Sequence, residues 1–123
     1  MILYKCTIPI NPRTKKNKMQ IITRPRPRLI QSKKYREYEQ DCLKLIKAPL
    51  KPIECKVIVK ATYYRQTRHS VDITNLNGAL HDILVKARVL ADDNYKIVIG
   101  TDGSRIYFDK ENPRTEVEII KYG

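Results

Sequence analysis

Two acidic positions frame one stretch of this sequence. Asp72 stands near the start of VDITNLNGALHDILVKARVLADD (71–93), and the adjacent pair Asp92-Asp93 closes it, 21 residues from Asp72 to Asp93. Each has a plain structural reading. Asp, Thr and Asn are favoured helix N-caps and an acid there complements the helix dipole, so Asp72, Thr74 and Asn75 suit a helix start. Asp92-Asp93-Asn94 suits a turn before a strand, because Asp and Asn hydrogen-bond nearby backbone. The combination says more. Adjacent carboxylates repel unless a cation or strong donors compensate, and hard oxygen ligands suit Mg²⁺, which binds through a few carboxylates and keeps several waters. Such an ion activates water and neutralises charge developing on a phosphate, which is what phosphodiester hydrolysis needs.

The charge distribution points to the same substrate class. Lys and Arg total 25 against 13 Asp and Glu, a net +12. The first 36 residues carry eleven of those bases (Lys5, Arg13, Lys15, Lys16, Lys18, Arg24, Arg26, Arg28, Lys33, Lys34, Arg36) and no acid. The other 87 residues carry 14 bases and 13 acids. Nearly all the excess therefore belongs to the N-terminal third. A polyanionic partner is the natural inference, since Lys and Arg that neutralise phosphates release condensed counterions. Arg13, Lys15, Lys16, Lys18, Arg24, Arg26, Arg28 and Arg68 are the candidate DNA contacts.

The elements that must position these residues follow from periodicity. Residues 2–10 alternate and read as a strand, with Ile2, Tyr4, Cys6 and Ile8 on one face. Residues 11–31 lack helical periodicity, and PRPR at 25–28 forces extended backbone. They read as a long basic loop, in which MQII and LI can form a small ribbon; loops of that length in compact domains are usually functional. Ser32 suits the N-cap of a helix over 33–47, with Tyr35, Tyr38, Cys42, Leu45 and Ile46 on one face. Residues 54–64 alternate again, with Cys55, Val57, Val59, Ala61 and Tyr63 inward. Leu76, Ala79, Leu80, Ile83, Leu84 and Ala87 recur at helical spacing and predict a helix over about 75–86. YKIVIGTDGSRIYF reads as a strand interrupted near TDG by a bulge or a hairpin turn, and TEVEIIK as a last strand. The order β-loop-α-β-α-β-β predicts an α+β fold with a small mixed β-sheet and two helices, as one domain over 1–123.

Other classes recede. No apolar run approaches the roughly 20 residues of a spanning helix, and no signal peptide is recognisable. Cys6, Cys42 and Cys55 have no CxxC spacing and read as buried thiols in a reducing cytosol. His69 and His81 do not complete a zinc site.

D72-I73-T74-N75-L76, then A79, D82, L84 and D92-D93, resembles the D-L-D-N-L…K…D-A-L…D-D signature of the RusA-type Holliday junction resolvases. PRTKKN (12–17) is similar to that family's opening and KENPRTEVEI (110–119) to the end of many members. The resemblance covers nearly the full length. It implies a cytoplasmic, bacterial or phage-encoded enzyme. It further implies a homodimeric, Mg²⁺-dependent endonuclease (Mn²⁺ substituting) that acts on branched DNA, the four-way junction, without a small-molecule cofactor. Carried over by position, Asp72 and Asp93 fall on two of the family's three essential carboxylates. Asp92 matches the first acid of its D-D pair, so Asp72, Asp92, Asp93 and Thr74 become the metal-ligand set. Asn75 and Asp82 become supporting positions. Two positions depart. Thr74 stands where the family has its second Asp and offers a metal a hydroxyl or carbonyl but no charge. Gly78 stands where the family has a lysine, with Lys15, Lys16 and Arg68 as stand-ins and Lys86 farther off. Those departures leave a second reading, a catalytically weak or inactive protein that binds branched DNA. Reach sets a further condition. A helix over 75–86 is about 18 Å long, and the extended segment 88–92 returns at most about 17 Å. Asp72 and Asp93 meet within one chain only if that segment runs straight back; otherwise the helix is shorter than 75–86 or Asp93 is donated across a dimer interface.

Overall fold

The computed structural model describes residues 1–15, 20–22, 28–30 and 33–123. The elements in chain order are β1 (Ile2–Ile8), β2 (Gln20–Ile22), β3 (Arg28–Ile30), α1 (Lys33–Leu45), β4 (Val57–Arg65), α2 (Ile73–Lys86), β5 (Val98–Gly100), β6 (Arg105–Phe108) and β7 (Arg114–Lys121). Five strands make one mixed sheet in the order β1-β7-β4-β5, with β6 also pairing β4. β7 lies antiparallel to both β1 and β4, while β5 and β6 run parallel to β4. The α+β mixed sheet with two helices is as the periodicity predicts. β2 and β3 pair antiparallel as a separate ribbon within the basic stretch.

The helices cover one face of the sheet. Val57, Val59, Ala61 and Tyr63 alternate inward from β4, and Val117 and Ile119 from β7. They meet Tyr35, Tyr38 and Cys42 from α1 and Leu76, Ala79, Leu80, Ile83 and Leu84 from α2. Each fully buried aliphatic side chain contributes about 1.5–3 kcal/mol, so this shared face holds both helices in place. One polar pair is buried with it: Tyr63 Oη donates to Asn77 Oδ1 at 2.6 Å, which meets the hydrogen-bonding need of both groups.

Several details differ from the sequence expectation. The first helix ends at Leu45, whose side chain is 50% exposed, while Ile46 is buried just past the helix end. The strand expected over 54–64 starts at Val57, so Cys55 is exposed and only Cys42 of the three thiols is fully buried. Desolvation pushes the Cys42 thiol up to about 11, which keeps it protonated and inert. Ile2 is exposed because a register shift between Ile2 and Tyr4 turns it away from the face that Ile8 occupies. Among the described residues no helix is long and apolar enough to cross a membrane.

The interruption near TDG is a bulge and not a hairpin, since both of its pieces run parallel to β4 on the same edge. Between the pairs Ile58↔Gly100 and Thr62↔Arg105, β4 advances four residues and the edge strand five. The extra residue is absorbed in a turn where Gly103 takes φ 86°. There Ser104 Oγ accepts the Ala61 N–H at 3.0 Å and replaces the missing ladder bond. The chain thus keeps one long parallel edge beside β4.

Candidate active site

Asp72 is the N-cap of α2. Its backbone is extended (φ −94°, ψ 125°), and its carboxylate Oδ1 accepts the Thr74 N–H at 2.9 Å. Its carbonyl accepts from the amides of Asn75 (3.1 Å) and Leu76 (3.2 Å). Buried Leu76 anchors the first turn against the core, which fixes the direction in which Asp72 projects. Capping occupies one carboxylate oxygen. Oδ2 has no hydrogen-bond or ion-pair partner among the described residues, and the side chain is exposed. Thr74 is exposed beside it and Asn75 half-buried.

Beyond α2, the chain reverses through a left-handed residue, Arg88 (φ 64°). The amide of Val89 bonds Leu84 O and that of Arg88 bonds Val85 O, the paired hydrogen bonds of a Schellman ending. Segment 89–91 then pairs with Ile53 on both sides, through Ile53 N to Val89 O and Ala91 N to Ile53 O, each 2.9 Å. Asp92 follows and is consumed by its own turn. Oδ1 accepts the Asp93 N–H at 2.7 Å, and Oδ2 accepts from Asn94 Nδ2 at 3.1 Å. Asp93 is exposed, and its carboxylate makes no hydrogen bond among the described residues. Its charge acts on His81, nine residues along α2 from Asp72, or about 13 Å of helix rise. Among the described residues no three His, Cys, Asp or Glu side chains stand together as a group able to hold a metal ion.

From the sequence, His81 figures only as a histidine that does not complete a zinc site. It is half-buried, its Nε2 is buried without a hydrogen-bond partner among the described residues, and burial lowers its pKa against the opposing pull of Asp93. The one available signal was its spacing. It lies three residues after Gly78 and so shares a face with that departure. Among the described residues a Cβ at Gly78 would meet nothing within 4 Å, so none of them requires glycine there.

The middle of α2 carries a different acid. Lys15 Nζ bonds Asp82 Oδ2 at 2.7 Å, Lys86 reaches the same oxygen at 3.4 Å, and Lys86 also bonds Glu39 of α1 at 3.0 Å. Burial works to raise the Asp82 pKa, but the hydrogen bond and charge of Lys15, with Lys86 behind it, outweigh burial and leave it lowered. Asp82 thus fastens the segment after β1 to α2. Of the stand-ins for the absent lysine, Lys15 and Lys86 are engaged by acids. Arg68 lies 4.1 Å over the Phe108 ring with no carboxylate partner among the described residues. Lys16, Lys18, Arg24 and Arg26, and the N-cap expected at Ser32, fall outside the described residues; Arg28 lies in β3.

A cleft of about 340 Å³ adjoins Asp72. Asn11, Arg13 and Thr14 form one side, Lys34 and Tyr35 at the start of α1 another, and the 65–71 turn the third. Arg65 donates to the His69 carbonyl within that turn, and Asn11 Oδ1 accepts the Gln66 amide at 2.9 Å across the cleft. Arg65, Arg13 and Lys34 give the walls positive charge, and no acid lines them among the described residues.

Residues 9–120 of the chain match the family model for endodeoxyribonuclease RusA. No curated protein matches it significantly.

Proposed function

The chain belongs to the RusA endodeoxyribonuclease family, and from that premise we propose that it is a Mg²⁺-dependent, structure-selective endonuclease that resolves Holliday junctions by paired symmetric nicks in recombination and repair. The observation that carries this reading is the placement of Asp72. It caps a helix N-terminus with Oδ2 unpartnered among the described residues, and it directly follows Val71, a lining residue of the cleft walled by Arg13, Lys34 and Arg65. Cations that hold a phosphodiester and an acid without a cation of its own are what metal-assisted hydrolysis needs side by side.

The donor chemistry fits a hard divalent ion. Asp72 and Asp93 are exposed carboxylates with oxygens free to coordinate, and Thr74 adds a neutral hydroxyl next to the first. Asp92 contributes chiefly by holding the turn that presents Asp93. Mg²⁺ characteristically takes one or two protein carboxylates, several waters and substrate phosphate oxygens, so it needs no closed cage of three side chains. When bound, such an ion lowers the pKa of a coordinated water and offsets charge on the phosphate. The remaining work falls to the protein. Arg13, Lys34 and Arg65 hold the backbone in the cleft, with Lys16, Lys18, Arg24, Arg26 and Arg28 of the basic stretch as further phosphate contacts. Of the stand-ins for the lysine absent at position 78, Arg68 is the described one with no acid partner among the described residues. The α2 dipole favours negative charge at the same spot.

Junction resolution requires two matching nicks. In this reading a C₂ homodimer offers two identical sites to two symmetry-related strands, so symmetry sets the outcome. A dimer also provides a route by which Asp93 of one subunit joins Asp72 of the other. The test uses a synthetic four-way junction with labelled arms, incubated at low salt in EDTA, Mg²⁺ or Mn²⁺. Wild type should give paired symmetric nicks that need metal, and Asp93→Asn should abolish them. Tight junction binding with no cleavage in either metal refutes the enzyme reading and leaves a branched-DNA-binding protein.

A further inference from the structure

The 65–71 turn has two sides. One faces the cleft of Arg13 and Lys34. The other faces a separate groove, also about 340 Å³, between the turn and the edge strand β6. Arg65, Arg68 and Val71 line its turn side, and Ile106, Tyr107 and Phe108 its strand side; among the described residues no acid contributes. Register explains its floor. Ile106 pairs with inward-facing Tyr63 and Phe108 with Arg65, so both point to the helix side of the sheet. Phe108 remains 40% exposed and Tyr107 52%.

Two features separate this groove from an ordinary solvated edge. The Arg68 guanidinium lies 4.1 Å over the Phe108 ring, with no carboxylate partner among the described residues. A planar cation lying against a ring is a two-sided stacking element, and its charge suits nucleic acid. Close by, on the opposite face of the sheet, Arg114 lies 3.7 Å over Tyr64, and Tyr64 stacks on Tyr107 with centroids 5.6 Å apart. That row ends at Tyr107, whose ring stands at the groove's rim. Arg114 is itself paired with Asp109 at 3.0 Å and Glu116 at 2.9 Å, so the charge that no acid among the described residues offsets is that of Arg65 and Arg68. Aromatic rings interleaved with arginines form a surface on which unpaired bases stack irrespective of sequence.

We propose that the groove between the 65–71 turn and β6 is a stacking site for an unpaired DNA base, with Arg68 and Phe108 as its platform. The proposal rests on the nuclease reading above and deepens it. The groove and the basic cleft share Arg65, Thr67, His69 and Val71, and Val71 directly precedes Asp72. A base drawn from the stack on one side of the turn leaves its phosphate on the other, beside the candidate catalytic acid. Selectivity for branched DNA then has a physical origin. A continuous duplex charges the full cost of unstacking a base, whereas a branch point or gap has already met most of it. The charge also decides between occupants. A second copy seated here by two-fold symmetry would bring Arg65 and Arg68 against their own equivalents, with no acid in the groove to compensate.

The experiment measures affinity at one fixed salt concentration for an intact duplex, a gapped duplex and a four-way junction. Wild type is compared with Phe108→Leu, Phe108→Trp and Arg68→Lys. The expected result is a roughly tenfold fall in the ratio of gapped or junction affinity to duplex affinity for Phe108→Leu, in line with the loss of one base–aromatic stack. Arg68→Lys, which keeps charge but loses the planar face, should lower the same ratio, and Phe108→Trp should retain it. An equal loss on all three DNAs, or no loss, overturns the proposal. So does a shift of Phe108→Leu from dimer to monomer in sedimentation, which makes the groove a subunit interface. Wild type that binds none of the three DNAs would instead overturn the nuclease reading, so the two failures are distinguishable.

Discussion

Asp72 and Asp82 stand ten residues apart on one helix in opposite circumstances. Asp82, in the middle of α2, is met by Lys15 at 2.7 Å and by Lys86 at 3.4 Å, and Lys86 goes on to Glu39. Asp72, at the N-terminus, spends one oxygen on the Thr74 amide and meets no cation among the described residues, although Arg13 and Arg65 line the adjoining cleft. An acid surrounded by bases is ordinarily neutralised, as Asp82 is. An acid left with an open oxygen beside a basic cleft is an arrangement that local stability does not require. The difference separates an acid that fastens the fold from one that, in the proposed reading, is offered to a ligand.

The comparison is open to breakage from either end. The largest effect is expected for Asp72→Asn. Asn caps a helix as well as Asp does, so the thermal midpoint should stay near that of wild type. Metal-dependent cleavage of a junction should fall about 100-fold or more, since even groups that only support a metal ligand cost up to about that much. A matching loss of stability and activity would mean that Asp72 is a cap and nothing else. Gly78, which lies between the two acids with open space around it, should respond in the opposite direction. Gly78→Ala should raise unfolding stability in urea by about 0.5–1 kcal/mol, because no neighbour among the described residues meets the added methyl. Cleavage weakened by that methyl despite greater stability would reveal close approach of DNA or of a second subunit at this turn.

The smallest effect belongs to Asp82→Asn, a loss of about 0.2–1 kcal/mol in denaturant unfolding with cleavage largely retained. Its pH dependence sharpens the point. The Asp82 pKa is lowered in the folded state, so its contribution is fully present above the unfolded carboxylate value near 3.9 and is lost as pH falls through the lower folded value. Wild type and Asp82→Asn should therefore differ at neutral pH and converge in acid. A difference that persists well below pH ~3 would show that the substitution acts through packing and not through the ion pairs.

How much of this was legible beforehand varies with the range of the interaction. The second helix was clear because Leu76, Ala79, Leu80, Ile83 and Leu84 repeat at its own period, and all five are buried. The small ribbon flanking PRPR was legible too, from apolar runs on either side of a stretch of forced extension. Cys55 and Leu45 misled because alternation and helical spacing continue past the point where the element ends, and only the packing partner sets that limit. His81 was hidden among the apolar residues of α2. Nothing near it in sequence announces that its ring is buried or that Asp93 comes close.

The sequence by itself determined the two helices, the inward faces of β4 and α2, the concentration of charge in the N-terminal third and the acid signature of the family. Each of these is a relation among residues a few positions apart, or a sum over many, and neither depends on how the chain returns. Only the tertiary structure decided that Lys15 crosses 67 positions to Asp82, that Asp72 keeps an oxygen free, and that β5 and β6 share one parallel edge of β4. It also decided that Arg68 lies on Phe108 beside the cleft. Those pairings are chosen by which surfaces remain unburied once the sheet and helices have closed on their core, and local pattern carries no record of that choice.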